Sequence, residues 1–373
     1  MTSLLGTPAE PISSTFDSAQ VFGLARDSGL TGRGGAGFPL WRKLAAVAGR
    51  PAVVIANGAE GEPASAKDRF LMAYQPHLIL DGLQLLAREG KAFLYAPAAS
   101  LPSVAAALAQ RRDAVPVRLT AAPDAFVAGE ASAVASAVAG RAAVPADKLV
   151  RLAASAVPTL VQNVETLAHL ALIARYGPGW FRARGTADEP GTFLATVSGA
   201  VVAPGVVEAG YGVPLGELLA AAGGAAGPLS AVLVGGYHGG WVPADPSLPV
   251  SSAALAAFGA APGAGVVVAL AASACGLRET ARIAGYLAGQ VAGQCGPCVN
   301  GLPRLAGTLR DLANHRIWPG MTAEVDRMRR LVAGRGACKH PDGTARLIGS
   351  AMRMFAADVD AHLHGRCLAE AAR

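Results

Sequence analysis

Cysteine is scarce in this chain, with five in 373 residues. No basic segment followed by an apolar core stands at the N-terminus, so no signal peptide is expected. So few cysteines in a chain of that kind argue against a disulfide framework and for free thiols in a reducing, cytoplasmic setting. Aromatic residues make up 5% of the chain, and Lys and Arg are scattered rather than clustered. That pattern excludes a stacking platform for nucleic acid. Long apolar runs are missing as well. The longest uncharged stretch, Ser251 to Gly276, is broken by Gly259, Pro262, Gly263 and Gly265, so it cannot form the continuous apolar helix a bilayer span needs. The hydrophobic fraction of 52% is largely alanine and does not change that conclusion. A chain of this length has room for two or three domains with sizeable cores.

Two of the five cysteines stand together in Gln294-Cys295-Gly296-Pro297-Cys298, and a third follows in Gly336-Ala337-Cys338-Lys339-His340-Pro341. Thiolates held at a Gly/Pro turn are good ligands for soft metals and for iron–sulfur clusters. A Cys-x-x-Cys pair also suits a thioredoxin-like redox site or half of a zinc site. The redox pair wants a βαβ setting, whereas Arg278 to Ala288 before it has helical spacing. A zinc ribbon wants a second close pair, and there is none, although three cysteines with His340 nearby satisfy zinc by count. The residues thus point to a metal or cluster site and to a candidate electron carrier. The net charge of +6 would suit docking to an acidic electron-transfer protein.

Residues 15–190 alternate helical and strand-like segments. Helices are expected over Ser18–Leu30, Leu78–Arg88 and Ser103–Arg112, and strands over Ala52–Ala56, Ala92–Ala96 and Val115–Leu119. The alternation predicts an α/β layer fold. The texture changes at Gly191. Strand signals over Thr192–Gly199, Val206–Ala209 and Ala231–Gly236, with a helix over Leu215–Ala222, suit a small β-grasp module. From Leu277 the pattern is helical, with segments Arg278–Gln290, Pro303–His315, Ala323–Leu331 and Gly343–Leu363 joined by short connections, as in an antiparallel bundle. The domains expected are 1–190, 191–272 and 273–373.

Polar clusters punctuate the first of these. Gly32-Arg33-Gly34-Gly35-Ala36-Gly37-Phe38-Pro39 contains Gly-x-Gly-x-x-Gly, but it follows a helical segment rather than the strand a dinucleotide fingerprint requires. Its glycines still let the backbone approach a ligand with bare amides, and Arg33 and Lys43 could neutralise an anion. Asn57-Gly58-Ala59-Glu60-Gly61-Glu62-Pro63 follows a strand, where open α/β sheets bind ligands. Gly129-Glu130 stands at a helix start, and in Gln162-Asn163-Val164-Glu165-Thr166 the Asn can cap the next helix.

These clusters, in this order, resemble the NADH-binding flavoprotein subunit of respiratory complex I and its relatives in NAD-reducing hydrogenases and formate dehydrogenases. The resemblance runs over nearly the whole chain from about residue 20 and covers Gly32–Lys43, Asn57–Arg69, Pro76-His77, Gly129-Glu130, Pro158–Thr166, the β-grasp module, and Gly293–Gly301 with Cys338. It implies an FMN- and NADH-binding α/β domain, a soluble-ligand-binding β-grasp (SLBB) module and a helical iron–sulfur domain. It implies FMN, NAD(H) and a [4Fe–4S] cluster as cofactors and a ferredoxin-like or other electron-transfer subunit as partner, with no membrane span of its own. Gly32, Arg33, Gly34, Gly35 and Lys43 would line the nucleotide site. Asn57, Glu60, Gly61, Glu62, Gly129, Glu130 and Asn163 would hold flavin or nicotinamide, with Glu62 and Glu130 as the catalytic pair, and Phe38 would stack on adenine.

The chain departs from the family pattern at several places. An acidic residue after the strand asparagine is Ala59 here, the second of two paired glutamates is Ala131, a lysine is Val157, and Ala46 stands near a stacking aromatic. The first cluster cysteine is Ala292, leaving Cys295, Cys298 and Cys338, with Cys275 or His340 as the expected fourth ligand and Cys367 as a packing residue. Two readings follow from the resemblance: an NADH dehydrogenase-like electron-transfer subunit, or a non-catalytic iron–sulfur or scaffold subunit that has lost NADH oxidation. A zinc-stabilised binding module is the third.

Overall fold

A computed structural model describes residues 3–6, 16–88, 90–147, 149 and 151–371. The chain divides into two compact units, Met1–Ala195 with Glu208–Gly212, and Thr196–Val207 with Val213–Arg373.

The first unit is built on four parallel strands, β1 (Val53–Asn57), β2 (Lys91–Pro97), β3 (Val117–Ala122) and β4 (Thr159–Asn163), in the order β3-β2-β1-β4. The short apolar runs Val53-Val54-Ile55 and Phe93-Leu94-Tyr95 supply the centre of the sheet. Its helices are α1 (Ser18–Ser28), α2 (Leu40–Ala45), α3 (Lys67–Tyr74), α4 (Pro76–Ala87), α5 (Leu101–Ala109), α6 (Ala131–Val138) and α7 (Val164–Arg182). Helix α1 starts at a capping box between Asp17 and Gln20 and stops at Gly29, whose φ of 70° few other residues tolerate. One core joins α1, α2, α4 and α7 through Val21, Ala25, Leu40, Leu85, Leu170 and Ile173. A second lies under α6, where Val134 meets Ile55, Tyr95 and Val161.

The order of the strands matters for function. From β1 the chain proceeds outward to β2 and β3, then returns to place β4 on the other side of β1. The connections therefore diverge between β1 and β4, where Asn57 and Asn163 are paired at the strand ends. Open α/β sheets bind ligands in the crevice at such a switch point.

In the second part of the chain, β5 (Thr192–Gly199), β6 (Gly205–Gly210), β7 (Leu229–Val234), β8 (Gly240–Pro243) and β9 (Val266–Ala271) form a mixed sheet in the order β6-β5-β9-β7-β8. Strand β9 runs parallel to β5 and antiparallel to β7. Helices α8 (Leu215–Ala221) and α9 (Ser252–Leu255) lie in its connections. They are followed by α10 (Gly276–Gly289), α11 (Leu302–Ala313), α12 (Met321–Val332), α13 (His340–Met354), α14 (Ala356–Leu363) and α15 (Leu368–Ala371). Trp241 of β8 is buried. It donates its indole N–H to Thr280 of α10 at 2.9 Å, and its backbone N–H to the Ser350 hydroxyl of α13 at 3.0 Å.

Most of the expected elements form within two or three residues of their expected limits. Strands β8 and β9 are additions: Val266-Val267-Val268 is a buried central strand inside the stretch read only as too interrupted to cross a membrane. The helix expected over Gly343–Leu363 breaks at Phe355, which leaves helical geometry at φ −106° and ψ 35°. Its ring is buried against Trp241 at 5.3 Å and fills the space that the missing side chain of Gly276 leaves open. No helix among the described residues is long and apolar enough to cross a membrane.

Gly82 sets the closeness of α4 to α7, because a Cβ there would collide with the backbone carbonyl of Leu167. Gly82→Ala is expected to push the helices apart and to lower stability by about 1–3 kcal/mol. Thermal unfolding measures this, and an unchanged melting temperature would show that the spacing is not constrained.

Candidate functional site

The glycine loop is a tight hairpin at the carboxyl edge of the parallel sheet. It is closed by Gly32 N–H on the Phe38 carbonyl at 2.9 Å and Leu40 N–H on the Leu30 carbonyl at 3.0 Å. Gly35 and Gly37 have φ of 100° and 59°, a backbone only glycine adopts readily. Gly34 to Phe38 are exposed, Phe38 at 45%, so the loop presents bare amides beside an uncovered ring. Gly34 comes close enough to Asn163 that an added Cβ would lie 3.4 Å from its side chain. The loop thus sits on the end of β4, at the switch point.

Several residues expected to touch the ligand make hydrogen bonds that hold this edge together. Arg33 is 3% exposed. Its guanidinium donates to the Thr192 carbonyl at 3.2 Å, the Pro190 carbonyl at 3.3 Å and the Thr31 hydroxyl at 2.7 Å, and lies over the Tyr211 ring. Its backbone N–H donates to Thr166 at 2.9 Å. It anchors the loop. Lys43 donates to the Val161 carbonyl at 3.0 Å, and burial lowers its pKa, so it braces β4. Glu60 accepts from Ser65 at 2.6 Å and from the amides of Asp68 and Arg69, capping α3. Glu130 accepts from the Ser132 hydroxyl and from the amides of Ser132 and Ala133, capping α6. Glu62 receives the Ala64 amide at 3.3 Å. Asn57 donates to the Gly129 carbonyl and accepts from Ala59 N–H at 3.1 Å. Gly61 and Gly129 are glycines because the two loops touch: a Cβ on Gly61 would lie 2.6 Å from the Phe126 carbonyl, and one on Gly129 would lie 2.8 Å from that of Ala59.

The group that sequence reasoning missed lies directly beneath. Lys67 is buried, with its Nζ 2.7 Å from Asp68 and 2.9 Å from Glu165. Asn163 donates to Asp68 at 2.8 Å and accepts the Glu165 amide at 3.0 Å as the cap of α7. Glu165 also accepts Leu194 N–H at 2.8 Å and faces His169 at 3.6 Å. Burial alone would raise both carboxylates. At Glu165 burial is the largest single effect, but Lys67, His169 and Arg33 together outweigh it and the pKa falls to about 2, while at Asp68 burial prevails and the pKa rises to about 6. Lys67-Asp68-Arg69 reads in the sequence as a solvated charge run, and only the fold reveals that its first two members are buried.

In the second unit Cys295, Cys298 and Cys338 are neighbours around one turn, though their sulfurs are not all within 4.8 Å of one another. The turn over Pro297–Gly301 is a π-helix entering α11, a geometry common at functional sites. The amides of Cys298 and Val299 both donate to the Cys295 carbonyl, and Ala337 N–H points at the Cys295 sulfur from 3.4 Å. Cys298 is 6% exposed, and its thiol is pushed up to about 11 by burial and then by the facing Cys338 and Cys295. Three soft donors meeting with an amide aimed at one sulfur fit an iron–sulfur cluster, whose positive irons would relieve the mutual repulsion of the thiolates.

Neither expected fourth ligand joins them. His340 has both ring nitrogens engaged, with the Leu287 carbonyl at 2.8 Å and with His238 at 3.2 Å. Cys275 lies instead with His362 and Cys367. Cys367, expected only to pack, therefore belongs to a cluster of its own.

The class that fold and thiols define is a redox subunit with a flavin-type cleft in one unit and an iron–sulfur pocket in the other. Comparison with known proteins places it further. The Nuo51 FMN-binding domain matches residues 25–172 and the NADH-ubiquinone oxidoreductase-F iron–sulfur binding region matches residues 278–362, together well over half of the chain. The chain is 29% identical to an NADH-quinone oxidoreductase subunit of Rhizobium meliloti, over 93% of its own length and 89% of the relative's. It is 27% identical to an NADP-reducing hydrogenase subunit of Solidesulfovibrio fructosivorans over 94% and 77% of the two chains. It superposes on an NAD+-reducing [NiFe]-hydrogenase in the H2-reduced state with a TM-score of 0.85 at 30% identity. That match covers 93% of this chain and 63% of the hydrogenase chain. The chain belongs to the NADH-dehydrogenase flavoprotein family, and FMN and a [4Fe–4S] cluster are the groups its two matched domains bind.

Cys298→Ser is expected to remove the iron and the brown absorbance of anaerobically purified protein, and retained iron would strike Cys298 from the ligand set. Lys67→Met leaves two buried carboxylates without their cation. It is expected to cost about 3–5 kcal/mol, read by chemical denaturation; an unshifted midpoint would show that the acids reach solvent.

Proposed function

We propose that this chain oxidises NADH and passes the electrons singly to a ferredoxin-like protein partner in a larger complex. What supports this reading is that Cys338 lies beside Cys295 and Cys298, which would give the flavin-type unit an outlet for single electrons in the same chain. When bound, FMN exchanges a hydride for single electrons and the cluster carries them one at a time.

The residues divide into those that face the cleft and those that shape it. The exposed amides of Gly34, Gly35 and Gly37 take phosphate and ring edges. Phe38 offers its face to the adenine of the nucleotide. Asn57 meets the flavin at the end of β1, and Glu62 and Glu130 border the nicotinamide. Arg33, Lys43, Glu60 and Asn163 act by position, fixing the loop, β4, α3 and α7. Gly61 and Gly129 let their loops lie flat on one another. Ala59 and Ala131 remove two carboxylates from the cleft, so flavin and nucleotide rest on backbone amides more than on acids. Cys295, Cys298 and Cys338 would hold the cluster, which would supply one-electron transfer there. The domain order follows from the same reading: the FMN domain over 1–190, an SLBB β-grasp module over 191–272 and the iron–sulfur helical domain over 273–373. The basic surface suits an acidic partner.

The full chain, purified anaerobically, should contain flavin and iron–sulfur cluster in equal amounts, and NADH should bleach the flavin absorbance. Gly35→Val, with a β-branched residue forced to positive φ, should lose the flavin and keep the iron. Flavin that NADH leaves oxidised would overturn the assignment.

A further inference from the structure

Cys275, His362 and Cys367 are 8%, 0% and 5% exposed, and their three ligand atoms all lie within 4.8 Å of one another. Among the described residues they are the one such group of His, Cys, Asp or Glu, and they come from three separate places. Cys275 is the residue before α10, His362 lies in the last turn of α14, and Cys367 precedes α15. We infer that these three side chains bind a zinc ion, at a site separate from the cluster cysteines.

The chemistry of each donor supports this. His362 Nδ1 lies 3.2 Å from the Leu312 carbonyl. A carbonyl only accepts, so Nδ1 carries the proton and Nε2 presents a bare lone pair. Nε2 is the atom that faces the sulfurs, 3.4 Å from Cys275 Sγ. A histidine whose far nitrogen donates to a backbone carbonyl is the usual oriented metal ligand. Zinc bonds of about 2.3 Å to sulfur and 2.0 Å to nitrogen place two tetrahedral ligands about 3.5 Å apart, so the Cys275–His362 spacing of 3.4 Å is already that of a coordinated pair. The amides of Arg278 and Leu277, at the start of α10, hydrogen-bond to Cys275.

A second observation is independent of the three donors. His315 is the only residue other than glycine with positive φ among the described residues, at 59°. Its ring stacks on His362 at 4.4 Å and 23°, and its Nδ1 lies 3.4 Å from the His362 carbonyl. The left-handed backbone of His315 closes α11, with the His315 amide on the Leu312 carbonyl at 3.2 Å and the Arg316 amide on the Asp311 carbonyl at 2.9 Å, and it sets the ring against His362. Binding releases one proton from each thiol to solvent, and the ion ties the C-terminal segment to the start of α10.

Metal analysis of the full chain, purified anaerobically with its iron, should find zinc close to equimolar with protein. X-ray absorption at the zinc edge should give two sulfur neighbours and at least one nitrogen. Cys367→Ser and His362→Ala should lose zinc and keep iron, whereas Cys298→Ser should do the reverse, which separates this site from the cluster assignment. His315→Gly, which relieves the backbone while removing the ring, should weaken zinc retention against a chelator roughly tenfold or more. Should either zinc-site variant fail to fold, the absorption spectrum of the unsubstituted protein still decides. Zinc without sulfur neighbours, absence of zinc after incubation with the metal, or a Cys275–Cys367 disulfide in the anaerobic protein would each overturn the proposal.

Discussion

A single buried ammonium governs the carboxyl edge of the parallel sheet. Lys67 comes from the start of α3, Asp68 from the next residue, and Glu165 from the first turn of α7. Taking three charges out of water is costly, and their attraction offsets the cost only when each is held in place by further hydrogen bonds. Asn163 and the Leu194 amide supply those bonds. The result is a rigid floor made from α3, the end of β4 and the start of α7. Gly34 rests on that floor through Asn163, and the Arg33 backbone is tied to Thr166 one residue beyond Glu165. The exposed loop can therefore hold its amides in a fixed array although it carries almost no side chains of its own. Preorganised amides bind an anion without first losing their own conformational freedom.

This division of labour explains why charged residues near the cleft are poor guides to what touches the ligand. A guanidinium or ammonium beside a glycine loop suggests an anion contact. Here Arg33 and Lys43 are turned inward onto carbonyls, because those acceptors would otherwise be buried without partners. The same holds for Glu60 and Glu130, whose oxygens cap α3 and α6. Much of the apparent wealth of acids and bases at this edge is internal wiring.

The fold was largely legible because its signals are local. Apolar runs bounded by Pro51 and Asn57-Gly58 and the Asn163 cap each act over a few residues, and the elements formed where they pointed. What was not legible depended on distance. Lys67 and Asp68 are adjacent in the chain, so nothing in their spacing reveals Glu165 as a partner. The break at Phe355 depends on a cavity above Gly276 and on Trp241, both remote in sequence. Strand β9 looked like a failed membrane segment because its burial comes from β5 and β7 rather than from any pattern within it. The cluster pair was legible since Cys-x-x-Cys is itself a local signal, and Cys338 was joined to it by count and by the resemblance rather than by spacing.

The five cysteines show how donor chemistry sorts metals where spacing does not. By count, Cys275 is as near to Cys295 as a fourth ligand need be, yet it faces a histidine and Cys367. A set made only of sulfur favours iron–sulfur chemistry. A set that mixes sulfur with a neutral imidazole favours a borderline ion such as zinc. The two sets also differ in access. Cys295 and Cys338 are only partly buried, at a turn between helices, whereas Cys275, His362 and Cys367 are closed off. A group that exchanges electrons with a partner must lie near a surface, because transfer falls off with distance. An ion that serves only to join three chain segments is best kept from solvent, where competing ligands and oxidants cannot reach its thiolates. The all-sulfur set is placed for traffic and the mixed set for permanence, so the one unit separates redox function from structural support by the choice of a single imidazole.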